Sequence, residues 1–317
     1  MLGSDPEFLL VSPAGKVVPA SRYLERDGEA GCDAIVLRGH RVITPLAELR
    51  PRPSPQPRRL AANLHGAMRL AASRIGDASL AWLAGGMPLK GFPLGGHVHF
   101  SRVWLNSHLL QALDHYLALP LMLIEADADR RRRPRYGFLG DFRRQPHGGF
   151  EYRTLPSWLA TPLITVGVFA LARVVADGYR SLPSVNPGAS ALVPAAAAPQ
   201  AAGAAGVAVG AGAGSGAATR TGTVAECVRA PAARPLDDIS LLEAYYSGDK
   251  AVVQPVVAGL WRELEQLPGY AEFAAYLDPL RERTLRMEPW RETDDVRRAW
   301  KIAPFDGKRA TAPEFVL

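Results

Sequence analysis

Four short segments each place two chemically potent side chains two residues apart: Asp5-Pro6-Glu7, Glu48-Leu49-Arg50, His97-Val98-His99 and Glu151-Tyr152-Arg153. On a β-strand, successive side chains alternate between faces. Each pair would therefore point one way, while Pro6, Leu49, Val98 and Tyr152 point the other. Carboxylates, imidazoles and guanidiniums are costly to gather on one face unless they pair, bind a metal or meet a charged ligand. Any one pair also reads as an ordinary ion pair on a strand surface. Four in one chain indicate a sheet face built for metal ions and phosphates.

Glu7, Glu48 and Glu151 come from three separate segments and offer oxygen ligands of the kind that suit Mg²⁺ or Mn²⁺. The histidines of Gly95-Gly96-His97-Val98-His99 could add a metal ligand and a phosphate donor, and the paired glycines permit close backbone approach. A zinc centre fits less well, because neither Cys32 nor Cys227 lies near these segments and helical His spacing is absent. Arginines are concentrated at 130–133, 135, 143, 144 and 153. Such a cluster can hold nucleotide phosphates, bind nucleic acid nonspecifically or form a solvated basic face. No Gly-x-x-x-x-Gly-Lys-Ser/Thr loop is present, so phosphoryl chemistry here would lie outside the P-loop class. Positioning and electrostatics dominate that chemistry.

The elements that must carry these residues read as follows. Residues 1–101 are strand-rich, with short apolar runs at Phe8–Val11, Ala34–Leu37 and Leu46–Leu49 bounded by Gly or Pro. The proline-rich stretch Arg50–Pro57 excludes a helix interior. Leu60, Leu64, Met68 and Ala71 or Ala72 predict a helix over Arg58–Ile75. Strands are predicted at Leu80–Ala84, Gly95–Ser101 and Phe150–Leu155, and a long amphipathic helix over Asn106–Asp127 despite Pro120. Thr154–Ala172 carries no charge and approaches membrane-span length. Its prolines at 156 and 162, and the close flanks Arg153 and Arg173, favour a helix buried against the sheet. Pro187 to about Gly222 is almost purely Ala, Gly, Val and Pro, too poor in apolar area to offset ordering entropy. Helical patterning returns from Pro235 to about Trp300. The expected organisation is a catalytic body at 1–183, a flexible insertion at 184–224, and a helical part at 225–317 completing the same domain.

The 317 residues can bury a large core and correspond to about one to two domains. Hydrophobic residues make up 48% and charged ones 21%, a globular composition, with a net charge of +6. Two cysteines form no disulfide framework, and Met1–Asp5 has neither a basic n-region nor an apolar h-region. A cytoplasmic protein without stable membrane association is expected.

Taken in order, Gly3-Ser4-Asp5-Pro6-Glu7-Phe8, Glu48-Leu49-Arg50-Pro51, Gly95-Gly96-His97-Val98-His99-Phe100-Ser101, Tyr136-Gly137 with Arg143, and Glu151-Tyr152-Arg153-Thr154-Leu155-Pro156-Ser157 resemble the phage-associated carboxylate–amine ligases. These type 2 amidoligases are similar in fold to glutamine synthetase and glutamate–cysteine ligase. The resemblance covers roughly the first 180 residues and implies an α+β fold, with an antiparallel sheet whose concave face carries the active site and whose other face is packed by helices. It implies an ATP- and Mg²⁺-dependent (or Mn²⁺-dependent) ligase that forms an amide through an acyl phosphate, with carboxylate and amine substrates drawn from peptides, proteins or cell-wall components. By matched position, Glu7, Glu48, His97 and Glu151 would be metal ligands, and Glu48 could instead orient the amine. His99 would lie near the ATP phosphates and Arg153 would stabilise the transferring phosphoryl group. Arg135 and Arg143, or in their place Arg133 and Arg144, would contact phosphate or substrate carboxylate. Asp5 departs from the family pattern, standing where many relatives carry a second glutamate. With two residues ahead of Gly3, no N-terminal accessory domain is expected. An oligomer is compatible with the fold, and nucleic acid is not an expected partner. The competing readings are a phosphotransferase of related fold and a noncatalytic, basic nucleic-acid-binding or virion-associated protein.

Overall fold

A computed structural model describes residues 1–36, 42–133, 135–185, 235–290 and 295–303. The Ala/Gly-rich stretch falls outside them, as does Cys227. The architecture is α+β: a curled antiparallel sheet packed by helices, in the manner of glutamine synthetase-like ligases. Its strands are β1 (Leu2–Val11), β2 (Val17–Val18), β3 (Ala30–Val36), β4 (Val42–Leu49), β5 (Ala81–Leu83), β6 (Gly96–Phe100), β7 (Phe142–Arg144) and β8 (Phe150–Tyr152). The main order is β3-β4-β1-β6-β8-β7. β1 is long enough to serve several partners, pairing through its first half with β6 and through its second half with β4, β5 and β2.

β1 runs six residues further toward the N-terminus than the apolar run Phe8–Val11 suggests. Asp5 and Glu7 precede that run in sequence, yet both are buried within the strand. Alternation explains the geometry. Leu2, Phe8 and Leu10 of β1, Leu49 of β4, Val98 and Phe100 of β6, and Phe150 and Tyr152 of β8 join one continuous core. The charged residues between them face the other way. On that second face β1 also carries Leu9 and Val11, which with Ile35, Leu46, Leu83 and Leu94 form a smaller apolar cluster. The β3–β4 register shifts between Asp33 and Ile35. Pro45 lies opposite this irregularity, where a residue without an N–H is tolerated in a sheet.

Helix α1 (Pro57–Arg74) starts with proline at its first position and buries Leu60, Leu64 and Met68 in the main core. The long helix after β6 is three pieces: α2 (Ser107–Leu113), a π-turn (Asp114–Ala118) and α3 (Leu119–Ile124). Pro120 accounts for the break, since it cannot donate to the carbonyl one turn back and its ring crowds that carbonyl; the π-turn widens the helix there. Helix α4 (Pro162–Gly178) begins at Pro162 instead of being interrupted by it, and the Thr161 side chain caps Ile164 N at 3.2 Å. By length and composition this helix could cross a membrane, but from Ile164 to Val175 all but Arg173 are buried in the protein. Helices α5 (Ile239–Ser247), α6 (Lys250–Leu264), α7 (Pro268–Leu285) and α8 (Val296–Ala299) complete the helical layer, with α7 against α4 through Leu280 and Gly167.

Between β8 and α4 the chain is irregular but fixed. Buried Trp158 donates its indole N–H to Gly96 O at 2.6 Å and meets Phe169 edge-on at a 4.9 Å centroid distance. It thereby braces the start of β6, the strand carrying both histidines. Trp158→Ala is expected to cost about 3–5 kcal/mol in urea denaturation. A loss below about 1 kcal/mol would show that the indole does not hold this corner.

Candidate functional site

The antiparallel register sets the polar residues side by side. Glu7 faces Glu48 across β1–β4, Asp5 faces His97 across β1–β6, His99 faces Glu151 across β6–β8, and Glu151 faces Arg143 across β8–β7. All stand on the sheet face opposite the helices. Two sets of potential ligand atoms result, one from Glu7, Asp33 and Glu48 and one from Asp5, His99 and Glu151, each with its atoms within 4.8 Å of one another.

His97 lies between the strands' carboxylates. Its Nδ1 is 3.1 Å from Asp5 Oδ1 and 3.0 Å from Glu151 Oε1, while His99 Nε2 is 3.0 Å from Asp5 Oδ2. Glu151 is the most heavily contacted of these carboxylates. Its Oε2 receives Arg143 Nη2 at 2.7 Å, Arg143 Nε at 2.8 Å and Gln145 Nε2 at 2.8 Å, and Arg153 Nε lies 3.1 Å from its Oε1. Glu7 accepts the Gly95 N–H at 2.6 Å. Glu48 is in contact with the Arg50 guanidinium. The double glycine serves packing as well as approach: a Cβ at Gly95 would collide with the His97 ring, and one at Gly96 with Pro156 O and Trp158.

Burial sets the proton affinities. Burial alone would depress His97, but the adjacent Asp5, then Glu151 and Glu7, raise it to about 10. Asp5 shows the complementary result: burial pushes it up, yet the two histidines hold it well below the usual carboxylate range. Glu151 is also lowered; its burial is outweighed by His97 and Arg143. Glu7 goes the other way, to about 7, because burial dominates over His97 and the Gly95 N–H. Burial and the neighbouring charges of Asp5 and Glu7 raise Glu48 to about 9 in spite of Arg50. The ion contact and the raised value pull in opposite directions, and burial, aided by the neighbouring carboxylates, outweighs the contact.

The arrangement suits an oxygen-seeking divalent cation. Asp5 Oδ1, His97 Nδ1, His99 Nε2, Glu151 Oε1 and Arg153 Nε are buried atoms that meet no well-directed hydrogen bond despite close neighbours. A hard ion among carboxylate oxygens would satisfy the acceptors and offset their mutual repulsion. Arg143 and Arg153, both partly exposed, face the same cluster and could meet a polyanion above it.

Of the residues singled out from sequence, Glu7, Glu48, His97, His99, Glu151, Arg143 and Arg153 converge here. Arg144 sits beside Phe150, on the opposite face of β7 from Arg143. Arg135 is exposed, its guanidinium 5.5 Å from the Tyr136 ring centre. Arg133 is buried away from the sheet, 2.7 Å from Glu125 and over the Tyr245 ring at 4.5 Å. Asp33 and Gln145 join the site without a sequence signal. Asp33 precedes the apolar run that marks its strand, and Gln145 reaches Glu151 only because the β7–β8 hairpin folds back.

These features together define a carboxylate-lined sheet face. The family profile described as phage phiEco32-like COOH.NH2 ligase-type 2 matches residues 2–196 and 215–302, and the chain belongs to that family. No curated protein matches the chain.

Glu7 and Glu48 hold protons in the fold at pH values where the unfolded chain has released them. Their contribution to stability is complete below the unfolded value near 4.5 and is lost as pH rises through about 7 and about 9. Without divalent cations, the urea midpoint should therefore fall from pH 6 to pH 9. A Glu7→Gln/Glu48→Gln protein should show a flatter profile, and an unchanged slope would contradict this electrostatic account.

Proposed function

We propose that this carboxylate–amine ligase is driven by ATP with Mg²⁺ or Mn²⁺ and proceeds through an acyl phosphate. The observation that carries this reading is a pair of carboxylate-rich ligand sets on one sheet face, one of which contains Glu151, the carboxylate met by Arg143 and Arg153. Phosphate chemistry needs both parts, cations held by hard oxygens and fixed donors for the charge on the moving phosphoryl group.

Glu7, Asp33 and Glu48 would hold one divalent ion, and Asp5, His99 and Glu151 another. When bound, such ions neutralise phosphate oxygens and make the phosphorus easier to attack. His97, kept cationic between Asp5 and Glu151, holds these two carboxylates in place. A substrate carboxylate oxygen attacks the γ-phosphorus, the bond to the bridging oxygen breaks, and ADP leaves. Arg153 and Arg143 stabilise the charge spread over the transferring group. The amine nitrogen then attacks the acyl carbon, a C–N bond forms, the C–O bond to phosphate breaks, and the nitrogen loses a proton. The carboxylate oxygen of Glu48 that is not engaged by the ion would orient the amine and receive that proton. The acid and the amine would be small molecules or side chains presented by a peptide, protein or cell-wall component. On this reading the reaction would take place beside the apolar cluster around Leu9 and Leu46, on the sheet face opposite the helical layer.

Calorimetry should show ATP binding that requires Mg²⁺ and is abolished by Glu151→Ala in a folded protein. Binding that is indifferent to both would refute the assignment. Metal must displace the protons held by Glu7 and Glu48, so Mn²⁺ affinity should rise between pH 6 and pH 9, with proton release visible as a buffer-dependent binding enthalpy. Arg153→Lys keeps the charge but loses the planar fork. Amide formation should drop by roughly 10²-fold with the melting temperature little changed; wild-type turnover would remove Arg153 from the mechanism.

A further inference from the structure

Arg132 and Arg133 are adjacent in sequence and both buried, but they are satisfied differently. Arg133 has an ion-pair partner in Glu125. Arg132 is 4% exposed and, among the described residues, forms no ion pair. Its Nη1 donates to Thr154 O at 2.7 Å and its Nη2 to Arg153 O at 3.2 Å, while its Nε has no hydrogen-bond partner. A buried cation without a carboxylate is costly, and two neutral donors could tie these carbonyls more cheaply.

The surrounding chain is shaped to accept it. Gly137 has φ +73°, and a Cβ there would strike Arg132 Nη1 and Thr154 O, so the loop passes directly over the guanidinium. The Tyr136 N–H donates to Arg132 O at 2.9 Å, and Thr154 Oγ1 donates to Phe138 O at 2.9 Å. Arg153 N–H donates to Asp141 O at 2.8 Å. Arg153 lies one residue beyond β8: its N–H continues the β7–β8 pairing to Asp141 O, while its carbonyl, past the ladder, is held by Arg132.

We propose that Arg132 is a positioning residue that aims Arg153 at the phosphate by clamping the two carbonyls just past the end of β8. This rests on the role given to Arg153 above. A fork that spans consecutive carbonyls fixes peptide-plane orientation as well as position, which a single donor does not. The orientation of that peptide sets where the Arg153 side chain starts, and hence whether its guanidinium reaches the Glu151 edge of the site.

The test is a double-mutant cycle on Mg²⁺–ATP affinity by calorimetry, using wild type, Arg132→Lys, Arg153→Ala and the double variant. Glu263→Gln, which loosens the contact of α6 with Tyr116 and Ser184 on the helical side, is the control for general destabilisation. Arg132→Lys should weaken binding about tenfold or more, as Arg153→Ala does, and the double variant should be no weaker than Arg153→Ala alone. Glu263→Gln should lower the melting temperature and leave affinity unchanged. Should Arg132→Lys fail to fold, Arg132→Gln removes the buried charge and keeps a single donor, with the same loss expected. Wild-type affinity in a folded Arg132 variant while Arg153→Ala is weakened, or additive losses in the double variant, would overturn the proposal alone. Wild-type affinity in Arg153→Ala would overturn it together with the phosphate role of Arg153.

Discussion

The constraint on which the rest depends is the gathering of Asp5, Glu7, Asp33, Glu48 and Glu151 on one face of the five neighbouring strands β3-β4-β1-β6-β8. Carboxylates at this spacing repel one another, and burial adds a desolvation cost to each. The fold manages the excess in two ways. Where cations are close, at Asp5 and Glu151, the carboxylates stay ionised against His97, His99 and Arg143. Where they are sparse, at Glu7 and Glu48, protons remain bound near neutral pH. A divalent cation, proposed above to bind here, would supply the missing charge and displace those protons as it entered.

Such a face needs a rigid support. The reverse side of the same strands is continuous with the helical core, so every inward Val98, Phe100 or Tyr152 fixes the orientation of the charged residue beside it. Trp158 and the glycines at 95 and 96 lock the entry to β6 where the histidines begin. Along β1 the second face changes character, from Asp5 and Glu7 to Leu9 and Val11. The polar site therefore ends against an apolar wall on its own sheet instead of grading into solvent.

The arginine-rich stretch has three roles. Arg143 reaches the site because its strand pairs β8 in register with Glu151. Arg132 and Arg133 turn inward beneath it, one to carbonyls and one to Glu125. Arg135 and Arg144 face outward. A cluster that is compact in sequence is thus divided between site-facing, supporting and surface positions.

Alternation made much of this legible in the sequence. A strand has a period of two, so Asp5/Glu7, His97/His99 and Glu151/Arg153 could be assigned to common faces before any pairing was known, and apolar spacing located α1. The order of those motifs also carried the family. Other features required tertiary contacts, because they depend on partners far along the chain. Asp33 reaches Glu7 and Glu48 only through the β3–β4–β1 register, and Gln145 reaches Glu151 only through a hairpin. The ionisation of each carboxylate is decided by which cation lies across the neighbouring strand. Residue type and spacing are local properties written in the chain; register, burial and charge balance exist only once the strands are side by side.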